Sequence, residues 1–188
     1  MATSQILDII AQRYSCRAFS DKPIADDVLQ AIVTAGLHAP SAVNRQPWRL
    51  IAVRDPAIVA DIEAAGLARL KQDDPAGYQR AVSRGGTMIY HAPVVLIIAG
   101  EQGDKAAYSP IDCGIVASHI VLAATALGVD SCIAAMPRVV FAGDAGAAMR
   151  QRIGLPDGFG FTLSVLLGYA SGEAVPGHEI DPAKATIL

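Results

Sequence analysis

Two short segments of the 188-residue chain carry side chains for which a packed core has little use. The first is Arg13-Tyr14-Ser15-Cys16-Arg17, with two guanidiniums and a hydroxyl close together. The planar fork of arginine makes paired, charge-assisted hydrogen bonds to phosphate oxygens. The second is Ala39-Pro40-Ser41-Ala42-Val43-Asn44-Arg45-Gln46-Pro47-Trp48, a proline-bounded run whose hydroxyl and amides suit the polar edge of a heterocycle. Together they suggest a site for a phosphorylated ring compound. Blander readings compete with this one. Arg13 and Arg17 are also what a charged helix end looks like, and Ser41 and Asn44 are common turn formers.

Other chemistries find little support. His38, His91, His119 and His178 lack zinc-ligand spacing and there is no Cys-x-x-Cys, so no metal is expected. Gly85-Gly86 is not followed by the Gly-Lys-Ser/Thr of a phosphate loop, and no G-x-G-x-x-G lies between a strand and a helix. Cys113 and Cys132 suit packing as small hydrophobes. Asp112 and His119, seven apart, are expected as a hydrogen-bonded structural pair rather than a proton relay. No side chain stands out as a catalytic nucleophile, acid or base.

The elements that must position these segments follow from periodicity. Residues 4–12 and 25–37 carry apolar side chains at helical spacing, with Ser4 as N-cap of the first and Asp26 and Asp27 favouring the start of the second. Pro40 prevents the second helix from continuing. Residues 50–53, 94–98, 131–135 and 162–167 read as strands, the second of them central because it is a continuous β-branched run. Residues 56–70, 111–127 and 144–153 read as helices. The helix over 111–127 is apolar nearly all round, which implies burial on most faces. Residues 71–86 are the most polar stretch and read as a loop or mobile cover. The last 20 residues read as an extended arm. Helices and strands alternate irregularly, as in an α+β or mixed α/β layer.

Length fits one domain over residues 1–188. Hydrophobic residues make up 52% of the chain and mean hydropathy is +0.36, more apolar surface than a lone domain of this size hides, which points to self-association. A net charge of −3 gives no general attraction to nucleic acid or anionic membrane. Three widely spaced cysteines fit free thiols in a reducing compartment. The first 12 residues lack the pattern of a signal peptide, and the apolar region 111–129 is broken by Asp112, Ser118 and His119, as in a buried helix and unlike a membrane span. A cytoplasmic location is expected.

In their order along the chain, the two opening segments, Ala92-Pro93 before an apolar strand, Ala126-Leu127-Gly128-Val129-Asp130-Ser131 and Leu167-Gly168-Tyr169 resemble the nitroreductase family of flavin-mononucleotide (FMN) enzymes, at the length of its shorter members. The resemblance implies a central, mostly antiparallel sheet flanked by helices, working as an intertwined homodimer with two flavin sites at its interface. Arg13, Tyr14, Ser15 and Arg17 match the segment that holds the flavin phosphate and pyrimidine edge. Pro40, Ser41, Ala42, Asn44 and Gln46 match the loop that reaches the flavin from the other subunit, while Trp48 is expected to pack. Ile133, Ala134, Ala135 and Met136 match the stretch passing the ring face, where a backbone N–H points at flavin N5. Two departures stand out. Past Arg152 only Lys184 and His178 replace the basic C-terminal pair of many members, which leaves the phosphate to Arg13 and Arg17, or to Arg84. Position 135 is Ala where some members carry an acid beside the flavin. The implied activity is hydride transfer from NAD(P)H, stacked on the flavin, to an electron-poor acceptor such as a nitroaromatic or quinone. Alternatives are a flavin carrier, dehalogenation or flavin fragmentation on the same fold, and a non-enzymatic dimer domain.

Overall fold

The computed structural model describes residues 5–83, 85–104, 106–172 and 179–187. Helices α1 (Gln5–Gln12) and α2 (Asp26–Leu37) precede strand β1 (Trp48–Val53). Helices α3 (Pro56–Asp73) and α4 (Pro75–Ser83) lead to β2 (Val94–Glu101), α5 (Ser109–Ala126) and β3 (Asp130–Ala134). The short helices α6 (Arg138–Phe141) and α7 (Ala147–Arg152) lead to β4 (Phe159–Gly168). The four strands form one sheet in the order β1-β2-β4-β3, antiparallel at every pairing. The expected α+β class and antiparallel sheet are therefore present.

The apolar run at β2 lies at the centre, buried on both faces because its side chains alternate between two cores. Val94, Leu96 and Ile98 join α2 and α5 in one cluster, through Leu29, Ile32, Val116 and Ile120. Val95 and Ile97 join α3 and α6 in the other, through Ile62, Leu70, Val140 and Phe141. Trp48 packs in the first cluster, 3% exposed, as expected.

Local chemistry accounts for the ends of the elements. Asp55 caps α3 by accepting from the N–H groups of Ala57 (2.8 Å) and Ile58 (3.3 Å), with Pro56 in the first turn. Gly128, at φ +70, takes the left-handed conformation that closes α5. Residues 71–86 correct the expectation of a loop. The α3 helix runs on to Asp73, and α4 follows almost at once. Its start is an Asp-Pro pair: Asp74 accepts from the Gly77 N–H at 2.9 Å, and Pro75 occupies the first helical position. The composition is polar because only Gly77 and Ala81 of α4 are buried.

The α5 helix is long and apolar enough to cross a membrane, but eight of its residues are buried in the chain. Its burial is one-sided, not on most faces: Ile111 is 61% exposed, and Gly114 and Ser118 are also exposed. Asp112 and His119 do not bond to each other. Asp112 accepts from the backbone of Ala42, and His119 Nδ1 meets the Ile115 carbonyl at 3.0 Å. Seven residues is two helical turns, about 10 Å along the axis, too far for a direct bond. Ser4, Arg84 and His178 lie outside the described residues. Past residue 178 only the short turn Pro182–Lys184 is regular among the described residues.

Candidate functional site

The Arg13–Arg17 segment is tied to the open edge of the sheet. The Cys16 N–H donates to the Ser131 carbonyl at 2.9 Å, beside β3. Farther on, Phe19 bridges Ala170, and the Ser20 N–H donates to the Tyr169 carbonyl at 2.8 Å. One carboxylate fastens both ends of this arrangement. Asp130 Oδ1 accepts from the Tyr14 hydroxyl and Oδ2 from the Ala170 N–H, each at 2.8 Å. Burial, then the bond to Asp130, pushes the Tyr14 phenol well above its ordinary value. The Tyr14 hydroxyl is thus engaged in holding the segment in place.

Arg13, Ser15 and Arg17 lie near Cys132. Burial pushes the Cys132 thiol up, and nearby Arg17, Ser15 and Arg13 pull it part of the way back. Neither guanidinium has an ion-pair partner among the described residues, although Arg45, Arg54, Arg69, Arg80 and Arg152 all do. Two cations near one thiol, neither in an ion pair among the described residues, favour a bound anion. Immediately after β3, the backbone N–H groups of Ala135 and Met136 meet no acceptor among the described residues. Ile133 is 48% exposed, whereas Ala134 is buried, its carbonyl accepting from Ser164 Oγ at 2.9 Å. The segment therefore offers unpaired guanidiniums and a hydroxyl at one place and free backbone donors at the next.

The second segment is a strained, tightly braced loop. Val43, Asn44 and Gln46 have φ of 48°, 55° and 51°. Left-handed conformations of residues with a Cβ cost about 1–3 kcal/mol each in unfavourable cases and persist only where the surroundings hold them. Here the Ser41 hydroxyl oxygen accepts from the Gln46 N–H at 2.8 Å, and Asn44 Oδ1 accepts from the Gln46 side chain at 3.0 Å. Arg45 grips Glu101 with two bonds of 2.8 and 2.9 Å. Asp112, buried in the first turn of α5, accepts from the Ala42 N–H at 3.1 Å. Val43 is left 96% exposed at the tip. The Asn44 amide N–H₂ and the Ser41 O–H point no bond within the loop and are available as donors. Pro40 is exposed just ahead of them.

Sequence reasoning pairs Asp112 with His119 and misses this role, because the contact spans 70 residues and leaves no local signal. Asp112→Ala is expected to release this loop. Its amide exchange at residues 42–46 should rise about tenfold, with a loss of about 1–3 kcal/mol in thermal unfolding. Unchanged exchange would show that Asp112 does not brace it.

The two segments do not meet within one chain. In the sheet register Cys132 lies opposite Leu166, which lies opposite Val95, whereas the loop is fastened to Glu101 at the far end of β2. Six residues of strand separate these levels by about 20 Å. A cleft of about 760 Å³ opens elsewhere, between α3 and residues 89–94, and includes none of the residues matched to the flavin from sequence. A smaller one of about 460 Å³ adjoins Ala135 and Met136.

The model of the nitroreductase family matches residues 10–169, a span that holds both segments and all four strands. The chain belongs to the nitroreductase family. This places it in a family of oxidoreductases. A nitroreductase from Desulfitobacterium hafniense, solved with bound FMN, is 37% identical over 99% of each chain, with a TM-score of 0.93. One from Bacteroides fragilis, also solved with FMN, is 28% identical over 99% of this chain and all of the other, with a TM-score of 0.88. An NADH dehydrogenase of Thermus thermophilus is 27% identical across this whole chain and 98% of its own length. The chain thus has the nitroreductase fold that its motifs implied.

Proposed function

We propose that residues 1–188 act as one flavin-binding domain that pairs with a second copy, binds FMN between the two, and works as an NAD(P)H-dependent oxidoreductase. The observation that carries this reading is the division of the candidate site. Arg13 and Arg17, in no ion pair among the described residues, lie at one end of the sheet, and the strained Asn44 loop lies about 20 Å away at the other. Two copies facing each other bring one end of each against the opposite end of the other.

The exposed surface supports this pairing. The α1 helix buries no residue, and Ile6, Leu7 and Ile10 are 65%, 57% and 49% exposed. Tyr108 and Ile111 of the α5 region and Val43 of the loop are also open. Exposed apolar side chains in this number mark an interaction face.

The residues fit FMN. Arg13 and Arg17, with the Ser15 hydroxyl, would hold the phosphate. The free N–H groups of Ala135 and Met136 present donors to the ring edge. Ser41 and Asn44 of the second copy supply donors from the other side, while the apolar face excludes water. Bound there, FMN would supply hydride-transfer chemistry between a reduced nicotinamide and an electron-poor acceptor such as a nitroaromatic or quinone. The protein needs no acid–base side chain for this exchange.

Freshly purified protein is expected to be a yellow dimer that oxidises NADH or NADPH when a nitroaromatic or quinone is added. A yellow protein without such turnover would indicate a flavin carrier or another flavin reaction. A colourless protein that takes up no added FMN would refute the reading.

A further inference from the structure

The cavity of about 460 Å³ beside Ala135 and Met136 has a distinctive charge distribution. The end of α3 and the start of α4 form one wall, and the start of α6 forms the other. Three guanidiniums and two carboxylates line it. Both carboxylates are engaged: Asp73 pairs with Arg69 one turn away on α3, and Asp74 pairs with Arg80 at 3.4 Å. Arg138, in the first turn of α6, has no ion pair or side-chain hydrogen bond among the described residues. The lining therefore carries one uncompensated positive charge, located at Arg138. Leu70, Met136 and Val139 give the same space apolar walls. Volume and lining suit a single substituted aromatic ring bearing an anion.

We propose that Arg138 is a specificity residue, holding an anionic group of the ring compound that enters this cavity to react. The group is a carboxylate, sulfonate or phosphate, and the inference rests on the flavin lying against Ala135 and Met136. A concave, partly apolar setting strengthens the pull of a guanidinium over its value in open water. Arg69 and Arg80, already neutralised by Asp73 and Asp74, keep the opposite wall from competing. The anion has two possible carriers, an acidic acceptor or the ribose phosphate that distinguishes NADPH from NADH.

The test compares Arg138→Gln and Arg138→Lys with the unaltered protein, with para-nitrobenzoate and nitrobenzene as acceptors and NADPH and NADH as donors. Arg138→Gln is expected to raise KM about tenfold for para-nitrobenzoate or for NADPH, which corresponds to about 1.4 kcal/mol. The matched neutral acceptor or NADH should stay within about twofold, kcat should hold, and Arg138→Lys should recover most of the loss. The affected substrate identifies the carrier. Equal changes for charged and uncharged partners, or no change, would overturn the proposal. The visible flavin spectrum of each variant reports separately on the cofactor reading. If that reading fails, calorimetric titration with para-nitrobenzoate and nitrobenzene decides the matter. Charge-selective binding lost in Arg138→Gln would uphold the anion site, and its absence would overturn it.

Discussion

Protein carrying both Arg13→Ala and Arg17→Ala is expected to purify colourless, with FMN affinity reduced at least about a hundredfold. A hydrogen bond to a charged group is worth about 1.5–3 kcal/mol, and two guanidiniums on one phosphate lose about 3 kcal/mol or more when removed. The fold should survive, because neither side chain has an ion-pair partner among the described residues. Substitutions of this kind usually change stability by no more than about 0.5 kcal/mol. Equilibrium dialysis against FMN, with thermal unfolding in parallel, measures both effects. Full flavin retention in the double variant would remove the phosphate role.

Asp130→Ala is expected to destabilise the protein by about 2–4 kcal/mol, because it leaves two half-buried donors unsatisfied. Those donors are the Tyr14 hydroxyl and the Ala170 N–H. For a chain of this size the loss lowers Tm by about 5–15 °C. The same change loosens the Arg13–Arg17 segment, leaving it the Cys16 bond to Ser131, so on the proposed reading flavin should be lost below the unfolding transition. Tyr14→Phe, which leaves Asp130 its bond to Ala170, should cost less, about 1 kcal/mol. It should also alter the alkaline limb of stability. A phenol raised in the folded state contributes fully below its unfolded value, about 10, and that contribution is lost as pH rises beyond it. The unaltered protein should therefore lose stability more steeply above about pH 10 than Tyr14→Phe does. Parallel slopes would show that the Tyr14–Asp130 bond does not control this titration.

Much of the fold was legible because its signals are local. The buried run at β2, the Asp55-Pro56 start of α3 and the Gly128 stop of α5 each follow from residues close in sequence. The α4 helix was not read as a helix, because it is short and mostly exposed, so the Asp74-Pro75 start was obscured by its polar composition. The one-sided burial of α5 could not be read either. An apolar helix looks the same whether its second face meets its own chain or another copy.

The site divides in the same way. Arg13, Ser15 and Arg17 were legible as a cluster of residue types, and the structure adds that they lie near Cys132, with neither arginine in an ion pair among the described residues. The bond from the Tyr14 hydroxyl to Asp130, a residue 116 positions away, leaves no local signal. The strain in the Asn44 loop and its bracing by Asp112 and Glu101 depend on contacts over long sequence distances. Arg138 gave no signal at all, since its lack of a partner among the described residues is visible only once the acids around it are seen to be taken.

The most direct test of the central claim is to compare how tightly the flavin-stripped protein binds FMN and riboflavin, which differ only in the phosphate. Quenching of flavin fluorescence gives both affinities and the stoichiometry. FMN is expected to bind about one per chain and at least about a hundredfold more tightly than riboflavin, a difference that disappears in the Arg13→Ala, Arg17→Ala protein. Equal affinity for the two flavins in the unaltered protein would contradict the account.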